Sequence, residues 1–541
     1  MNPVRVPRIG KARNPGGEIA GAPFGQARIM LDTTPVLIGA GQFTYRGATA
    51  QAPTPLELVT IASREAATDA GLAPLSLRGL DGLAVVGFTI DAPGALARIP
   101  VPRLANPPAS LAKVLGAAPR WAPYTHMGGN SPQQLINTIC ERIAAGQSEF
   151  VLAAGAEFLG SLRRRLAQNL PFDGYGDDHA YPPARIGDAR SGVTPHEAAH
   201  GLGLPVNIYP MFENALRARD GRSSESHQQR LGDLFAPFTR VAAENPFAWF
   251  PTARTPEDLV TVGPDNRMIS YPYPKYLNAI MQVDQSAALL IASVGKAKEL
   301  GVPEDRWVYL HGCADAADLW FPLERQNYHS SPAMRLTGQR ALDMAEIGLA
   351  DVDYFDLYSC FPSAVEIGAE ALGLALDDPR GLTVTGGLPY FGGPGNNYAM
   401  HSVATMMQKL RAKPGSFGLA TANGWFLTKQ STGVYSTAPP KKTFARENPD
   451  VIQRRIDALE HPAIVECPEG PAVIETYTVV HTREGYRMGI VIGRDQEGRR
   501  FVANTPADEI TLAAMEATEQ IGRRGHVRLA EDGEHNVFLP D

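Results

Sequence analysis

The stretch TVTGGLPYFGGPGNNYAMH, residues 383–401, decides how the rest of the chain is read. It gathers Gly386-Gly387, Gly392-Gly393-Pro394-Gly395 and Asn396-Asn397 directly ahead of an amphipathic run, 398–410, whose spacing predicts a helix. Glycine ahead of a helix leaves backbone N–H groups free to meet a ligand's oxygen. It also lets the backbone approach that ligand with no Cβ in the way. The competing reading is a tight turn between buried elements. What favours a site is a second junction of the same kind, Gly128-Gly129-Asn130 ahead of SPQQLINTICERIAA, residues 131–145, with Ser131 as N-cap and Pro132 at the first helical position.

Outward from these junctions the chain reads as two copies of one unit. In the first, PVLIGAGQF (35–43) is a buried strand, 55–70 a helix stopped by Gly71, LDGLAVVGF (80–88) a strand and FVLAAG (150–155) another. In the second, 339–347 is a helix stopped at Gly348, VDYFDLY (352–358) stands where LDGLAVV stood, and SFGLATANG (416–424) matches 149–155. Strands that are apolar on both faces predict a layered α/β fold with covered sheets, here duplicated. Between the copies the composition shifts toward Arg, Asp, Pro and aromatics over too long a stretch for a bare loop, so 161–277 is expected to be an inserted sub-domain over the sheet edge. After Pro439-Pro440-Lys441-Lys442, short alternating segments separated by Gly485, Gly493 and Gly498 predict a small antiparallel β-domain. The expected boundaries are 1–30, 31–160, 161–277, 278–438 and 439–541. Residues 1–30, basic and without an apolar core, read as a disordered arm, or as leader to a true start at Met30.

The 541 residues are 44% hydrophobic and 20% charged with a net charge of −7, which gives no electrostatic case for nucleic acid. No apolar run approaches the roughly 20 residues that span a bilayer. Four scattered cysteines, Cys140, Cys313, Cys360 and Cys467, offer neither a disulfide framework nor a zinc site and fit a reducing compartment, so a cytoplasmic location is expected.

In this order the segments resemble the thiolase superfamily, specifically the sterol-carrier-type thiolases and the thiolase-like proteins near them. NSPQQLINTICERIAAGQSEFVLAAGAE is similar to the nucleophile helix and its following strand, and Asn245-Pro246-Phe247-Ala248 to the end of a loop-domain helix. Asp284-Gln285-Ser286-Ala287-Ala288 resembles the start of the second half. Tyr358-Ser359-Cys360-Phe361 sits on the Asn-Glu-Ala-Phe or His-Asp-Cys-Phe segment, GGLPYFGGPG on Gly-His-Pro, and ATANGWF on the final Cys-x-Gly. The resemblance implies a five-layer-type thiolase fold of two βαβαβ halves. The tail resembles both an OB-like barrel that partners thiolase-like aldolases and the additional domain of thiolase-like protein type 1. Such a barrel would cover the surface thiolases use to dimerise, leaving a monomer.

The same resemblance implies that the chemistry has changed. A thiolase acylates a cysteine thiolate at a helix N-terminus and moves protons with a histidine and a second cysteine. Those positions fall here on Gly129, Gly393 and Asn423, and the residue orienting an oxyanion water falls on Tyr358. Two-step thiolysis is therefore not expected. The candidate catalytic residues are Tyr358, Cys360 and His401, each with a structural alternative: a packed ring, a core thiol, a histidine on a helix flank. The candidate substrate-binding residues are Asn130, Gly392 and Asn396. Arg163-Arg164-Arg165 are candidates for the ribose phosphate of coenzyme A, with a solvated charge run as the favoured reading. No metal and no tightly bound cofactor are expected; coenzyme A or an acyl-CoA thioester is the expected substrate or ligand. Three functions follow: an acyl-CoA-binding protein of the acyltransferase class in lipid metabolism, a retro-aldolase on β-hydroxyacyl-CoA in which Tyr358, its phenol pKa lowered by nearby donors, is acid or base, and a non-catalytic scaffold.

Overall fold

The computed structural model describes residues 31–92, 96–531 and 533–541; the expected arm, 1–30, lies outside them. The first unit runs β1 (Pro35–Thr44), α1 (Pro55–Asp69), β2 (Gly82–Val85), α2 (Pro107–Leu115), β3 (Tyr124–Thr125), α3 (Ser131–Ala144) and β4 (Phe150–Phe158). The insertion follows with α4 (Leu159–Gln168), β5 (Arg185–Ile186), α5 (Pro195–Ala199), α6 (Pro205–Arg219), α7 (Ser224–Glu244), α8 (Pro256–Val260), β6 (Met268–Ser270) and β7 (Tyr273–Pro274). Then come β8 (Asp284–Ser293), α9 (Val294–Glu299), β9 (Tyr309–Ala317), α10 (Pro332–Ala345), β10 (Tyr354–Asp356), α11 (Pro362–Leu372), α12 (Tyr398–Ala412), β11 (Phe417–Gly424) and β12 (Lys429–Ser436). The tail holds α13 (Asp450–Asp457), β13 (Gly470–His481), β14 (Tyr486–Asp495), β15 (Arg500–Asn504), α14 (Glu509–Ala517), β16 (Arg524–Leu529) and β17 (Asn536–Pro540).

Two sheets carry the duplication. One has the order β1-β8-β4-β2-β3-β5 and the other β10-β11-β12-β9, so β9, β12, β11 and β10 repeat β1, β8, β4 and β2. The repeat extends to single contacts. Asp81 takes the backbone N–H of Glu149 and Phe150 at the start of β4, and Asp353 takes that of Phe417 at the start of β11. Gly39 in β1 and Gly312 in β9 each pass so close to a helix carbonyl, Ala66 and Ala341, that a Cβ would overlap it. These approaches seat α1 and α10 on their sheets.

The topology corrects one boundary. DQSAALLIAS, expected to open the second half, is β8; it lies antiparallel between β1 and β4 and completes the first sheet. An all-apolar strand tells that it is buried, not which sheet buries it. A second correction concerns α10, which ends on Glu346 in a left-handed conformation (φ 57°) rather than at Gly348.

The tail is a closed ring, β13-β14-β15-β17-β16 and back to β13, with α14 between the third and fourth strands: the OB-like order. Its pairings are antiparallel except β15 with β17, which is parallel. The barrel is not a satellite. Val480, Ile490, Ile492 and Val502 belong to the same apolar core as Tyr358, Phe361 and Tyr209.

Candidate functional site

The two glycine junctions meet, but not as an open cradle. Asn396 joins them: its Oδ1 accepts the N–H of Gly128 at 2.9 Å and its Nδ2 donates to the carbonyl of Gly87 at 2.8 Å. Along 386–397 most N–H groups already have partners. Gly386 and Gly387 donate to the Thr383 and Thr385 hydroxyls, Gly393 to Ile280 O at 2.8 Å, Gly395 to Gly393 O and Asn397 to Pro394 O. Gly392 (φ +114°) lies where a Cβ would run into the Gln285 amide. The expectation of several free donors is therefore corrected: this is a buried turn whose glycines fit it against β8 and β4. Beneath it Glu157 is fully buried, its Oε1 accepting both the N–H and the hydroxyl of Thr89 (2.6 and 2.5 Å), and burial pushes its carboxyl up to about 8.

The first junction leads into α3, whose cap is Asn130 rather than the expected Ser131, and makes no side-chain cap bond. Asn130 Oδ1 is buried without a partner. Immediately before it stands Gly129, and the space its side chain would need is taken. A Cβ there would fall within the Tyr358 hydroxyl, 2.7 Å from Tyr358 Cζ and 2.5 Å from the Asn423 carbonyl. Gly129, Tyr358 and Asn423 thus lie against one another, whereas a Cβ at Gly393 would meet Ile280 O, Leu388 and Ala279 instead.

Around them the groups are neutral and tightly held. Tyr358 follows β10, its N–H on the Thr421 hydroxyl, its ring edge-on to Tyr398 at 5.5 Å. Its own hydroxyl has no hydrogen-bond partner among the described residues, and burial pushes the phenol up, opposite to the lowered value an acid–base role at neutral pH asks for. Cys360 is buried with its thiol pushed up to about 12. Asn423 donates to the Tyr209 hydroxyl at 2.8 Å and accepts from Gln430 at 3.3 Å. His401 lies elsewhere, fully buried in α12 with Nδ1 on Gln42 Oε1 at 2.9 Å, and burial pulls it down to about 3. Because that glutamine oxygen can only accept, Nδ1 carries the hydrogen, and Nε2, buried with no partner among the described residues, stays unprotonated.

Of the arginine run only Arg163 is exposed in the way a solvated charge run implies. Arg164 pairs with Asp284 at 2.8 Å, and Arg165, nearly buried, donates to Pro171 O and Ala50 O beneath the Tyr175 ring.

Sequence reasoning missed two residues. Tyr209 arrives from α6 in the insertion, stacks on Phe361 at 4.4 Å and bonds Trp425 O at 3.0 Å. No local pattern announces that contact. Lys429, the lone charge in β12, reaches back to Met127 O and Asp188 O, both at 2.8 Å, and its alkyl stem packs on Gly128. Burial pulls its ammonium down to about 8. One charge in an otherwise buried strand was the available signal.

The tail, residues 451–534, matches the family model of the thiolase-like protein type 1 additional C-terminal domain. The crystal structure of a monomeric SCP2-thiolase-like protein type 1 from Mycobacterium smegmatis is 38% identical, with a TM-score of 0.80 over 94% of this chain and 100% of that one. An Ltp2–ChsH2(DUF35) aldolase shares the fold at 20% identity and a TM-score of 0.53, over 75% of this chain and 98% of that one. Acetyl-CoA acetyltransferase 1 of Arabidopsis thaliana is 30% identical over 144 residues, 27% of this chain. The matched segment spans 32% of that relative and 35% of the corresponding enzyme of Methanocaldococcus jannaschii, about a third of each.

Proposed function

The chain belongs to the SCP2-thiolase-like proteins of type 1, and from that membership we propose that it binds an acyl-CoA thioester between Gly129, Tyr358 and Cys360 without carrying out two-step thiolysis. The observation that carries this reading is the filled space at Gly129. Thiolysis needs a thiolate at the start of α3; here Tyr358 and the Asn423 carbonyl occupy that volume. Cys360 does not replace it. With a thiol at about 12, roughly one molecule in 10⁵ carries a thiolate at pH 7. What remains is a polar lining suited to an acyl-CoA: a free phenol that donates to the thioester oxygen, and the Asn130 amide, whose open Oδ1 accepts from an amide N–H of the coenzyme A arm. The protein is an acyltransferase by descent and, in this reading, a monomeric ligand binder of lipid metabolism. Calorimetric titration with CoA esters should give binding while acetoacetyl-CoA is not cleaved; turnover at an ordinary thiolase rate contradicts the reading.

One observation favours a second reading. The Tyr358 hydroxyl stands where a nucleophile would and has no partner in the described structure, so it is available to a substrate. In retro-aldol cleavage of a β-hydroxyacyl-CoA, the Cα–Cβ bond breaks, its electrons form the thioester enolate, the β-hydroxyl proton passes to solvent water, and the enolate carbon takes a proton from an acid that the same water then reprotonates. Burial favours Tyr358 as the acid that returns a proton to the enolate, not as the base. Release of an aldehyde or ketone that is lost in Tyr358→Phe supports this reading; equal release by the variant removes the tyrosine from it.

A further inference from the structure

We infer that the C-terminal barrel sets the shape of the candidate site, through two buried arginines in series, and that Arg500 is a positioning residue for the loop carrying Trp425 to Thr428. This holds whichever ligand the site takes.

The loop between β11 and β12 does not hold itself. Trp425 and Leu427 both have left-handed backbones (φ 55° and 57°), a conformation side chains disfavour and which persists only when the surroundings impose it. One support comes from α6, where the Tyr209 hydroxyl donates to Trp425 O at 3.0 Å and accepts from Leu427 N–H at 3.3 Å and from Asn423 at 2.8 Å. The other support is Arg325, itself almost fully buried. Its guanidinium donates to Phe426 O at 3.0 Å, Leu427 O at 3.3 Å and the Thr428 hydroxyl at 2.9 Å, with Asp318 3.7 Å away.

Arg325 is in turn held from the barrel. Arg500, the first residue of β15 and wholly buried, donates to Leu323 O at 2.9 Å and to the carbonyl of Arg325. Glu475 of β13 fixes it through two bonds of 2.8 and 2.6 Å, and its guanidinium lies over the Tyr328 ring. The barrel grips the second support as well: Thr476 donates to Met211 O at 2.6 Å, and Asn214 donates to Tyr477 O at 3.0 Å, both on the helix that carries Tyr209. β13 and β15 therefore hold both supports of one loop. That loop begins two residues after Asn423, and Asn423 contacts Cys360 and walls the space at Gly129.

Cys360 is a reporter for this arrangement, because its thiol lies behind Asn423 and Tyr209. Among the cysteines only Cys467 is exposed, so the test uses the full chain with Cys467→Ser and a small disulfide reagent, the modified residue being located by peptide mass. In Arg500→Met, Cys360 should react at least about tenfold faster than in the parent while Cys140 and Cys313, buried in a separate core, stay as slow as before. Arg325→Met, which touches the loop and not the barrel, should do the same. Arg500→Lys keeps the charge but not the fork and should lie between parent and Met. Selective acceleration of Cys360 in either Arg500 variant supports the relay. Unchanged protection of Cys360 in a folded Arg500→Met protein overturns it, and so does equal acceleration of all three buried thiols in both Arg500 variants, since that marks general loosening.

Discussion

At Gly129 the absence of a side chain is a packing requirement. Its Cβ position is shared by a phenol and a backbone carbonyl, and the carbonyl cannot be moved by choosing another rotamer. Gly129→Ala is therefore expected to destabilise the protein by about 1–3 kcal/mol, seen as a lower urea midpoint with an unchanged slope. Gly129→Cys should not restore thiolysis, because the new sulfur meets the same two neighbours. Glu157 gives a second test at this scale. Its carboxyl is raised from 4.5 to about 8 in the fold, so the native state keeps a proton that the unfolded chain releases. The stability this contributes is fully present below about pH 4.5 and is lost as pH rises toward 8. Chemical denaturation across that range should show a falling free energy whose slope flattens in Glu157→Gln; an identical slope in the variant would assign the effect to other groups.

At the scale of elements, the duplication was legible because it rests on local signals: glycine stops, apolar strands, and a Gly-Gly lead into each of α3 and α12. That Gly129, Tyr358 and Asn423 belong together came from the thiolase resemblance and not from local signals, which give only their places at a strand end or a helix start. Non-local matters were not legible. The placement of β8 depends on which sheet has room for it, the partners of the 386–397 N–H groups lie on other segments, and Tyr209 comes from an insertion with no periodic clue. The link between the two junctions is open to mutation. Asn396→Ala removes a buried donor and acceptor together and leaves Gly128 N–H and Gly87 O unpaired, so it should cost about 2 kcal/mol or more. If the α3 lead-in forms part of the ligand site, the same variant should weaken CoA-ester binding in a titration at a temperature where it remains folded.

For the whole molecule, the decisive feature is that the barrel and the duplicated body share one apolar core. Val480, Ile490 and Val502 pack in the same cluster as Phe361 and Tyr390. Scanning calorimetry should accordingly show barrel and body unfolding in one transition, whereas a barrel that melted separately would show them to be independent units. Light scattering is expected to give the mass of a single chain. All of these expectations bear on a protein that has the thiolase-like fold and a filled Cβ position at Gly129, where we propose that no nucleophile can stand. The most direct test is intact-mass analysis of the protein quenched during incubation with acetoacetyl-CoA and free CoA. The filled space at Gly129 and the protonated Cys360 require an unmodified mass throughout, whereas an increment of one acetyl group on the chain would contradict the account at its centre.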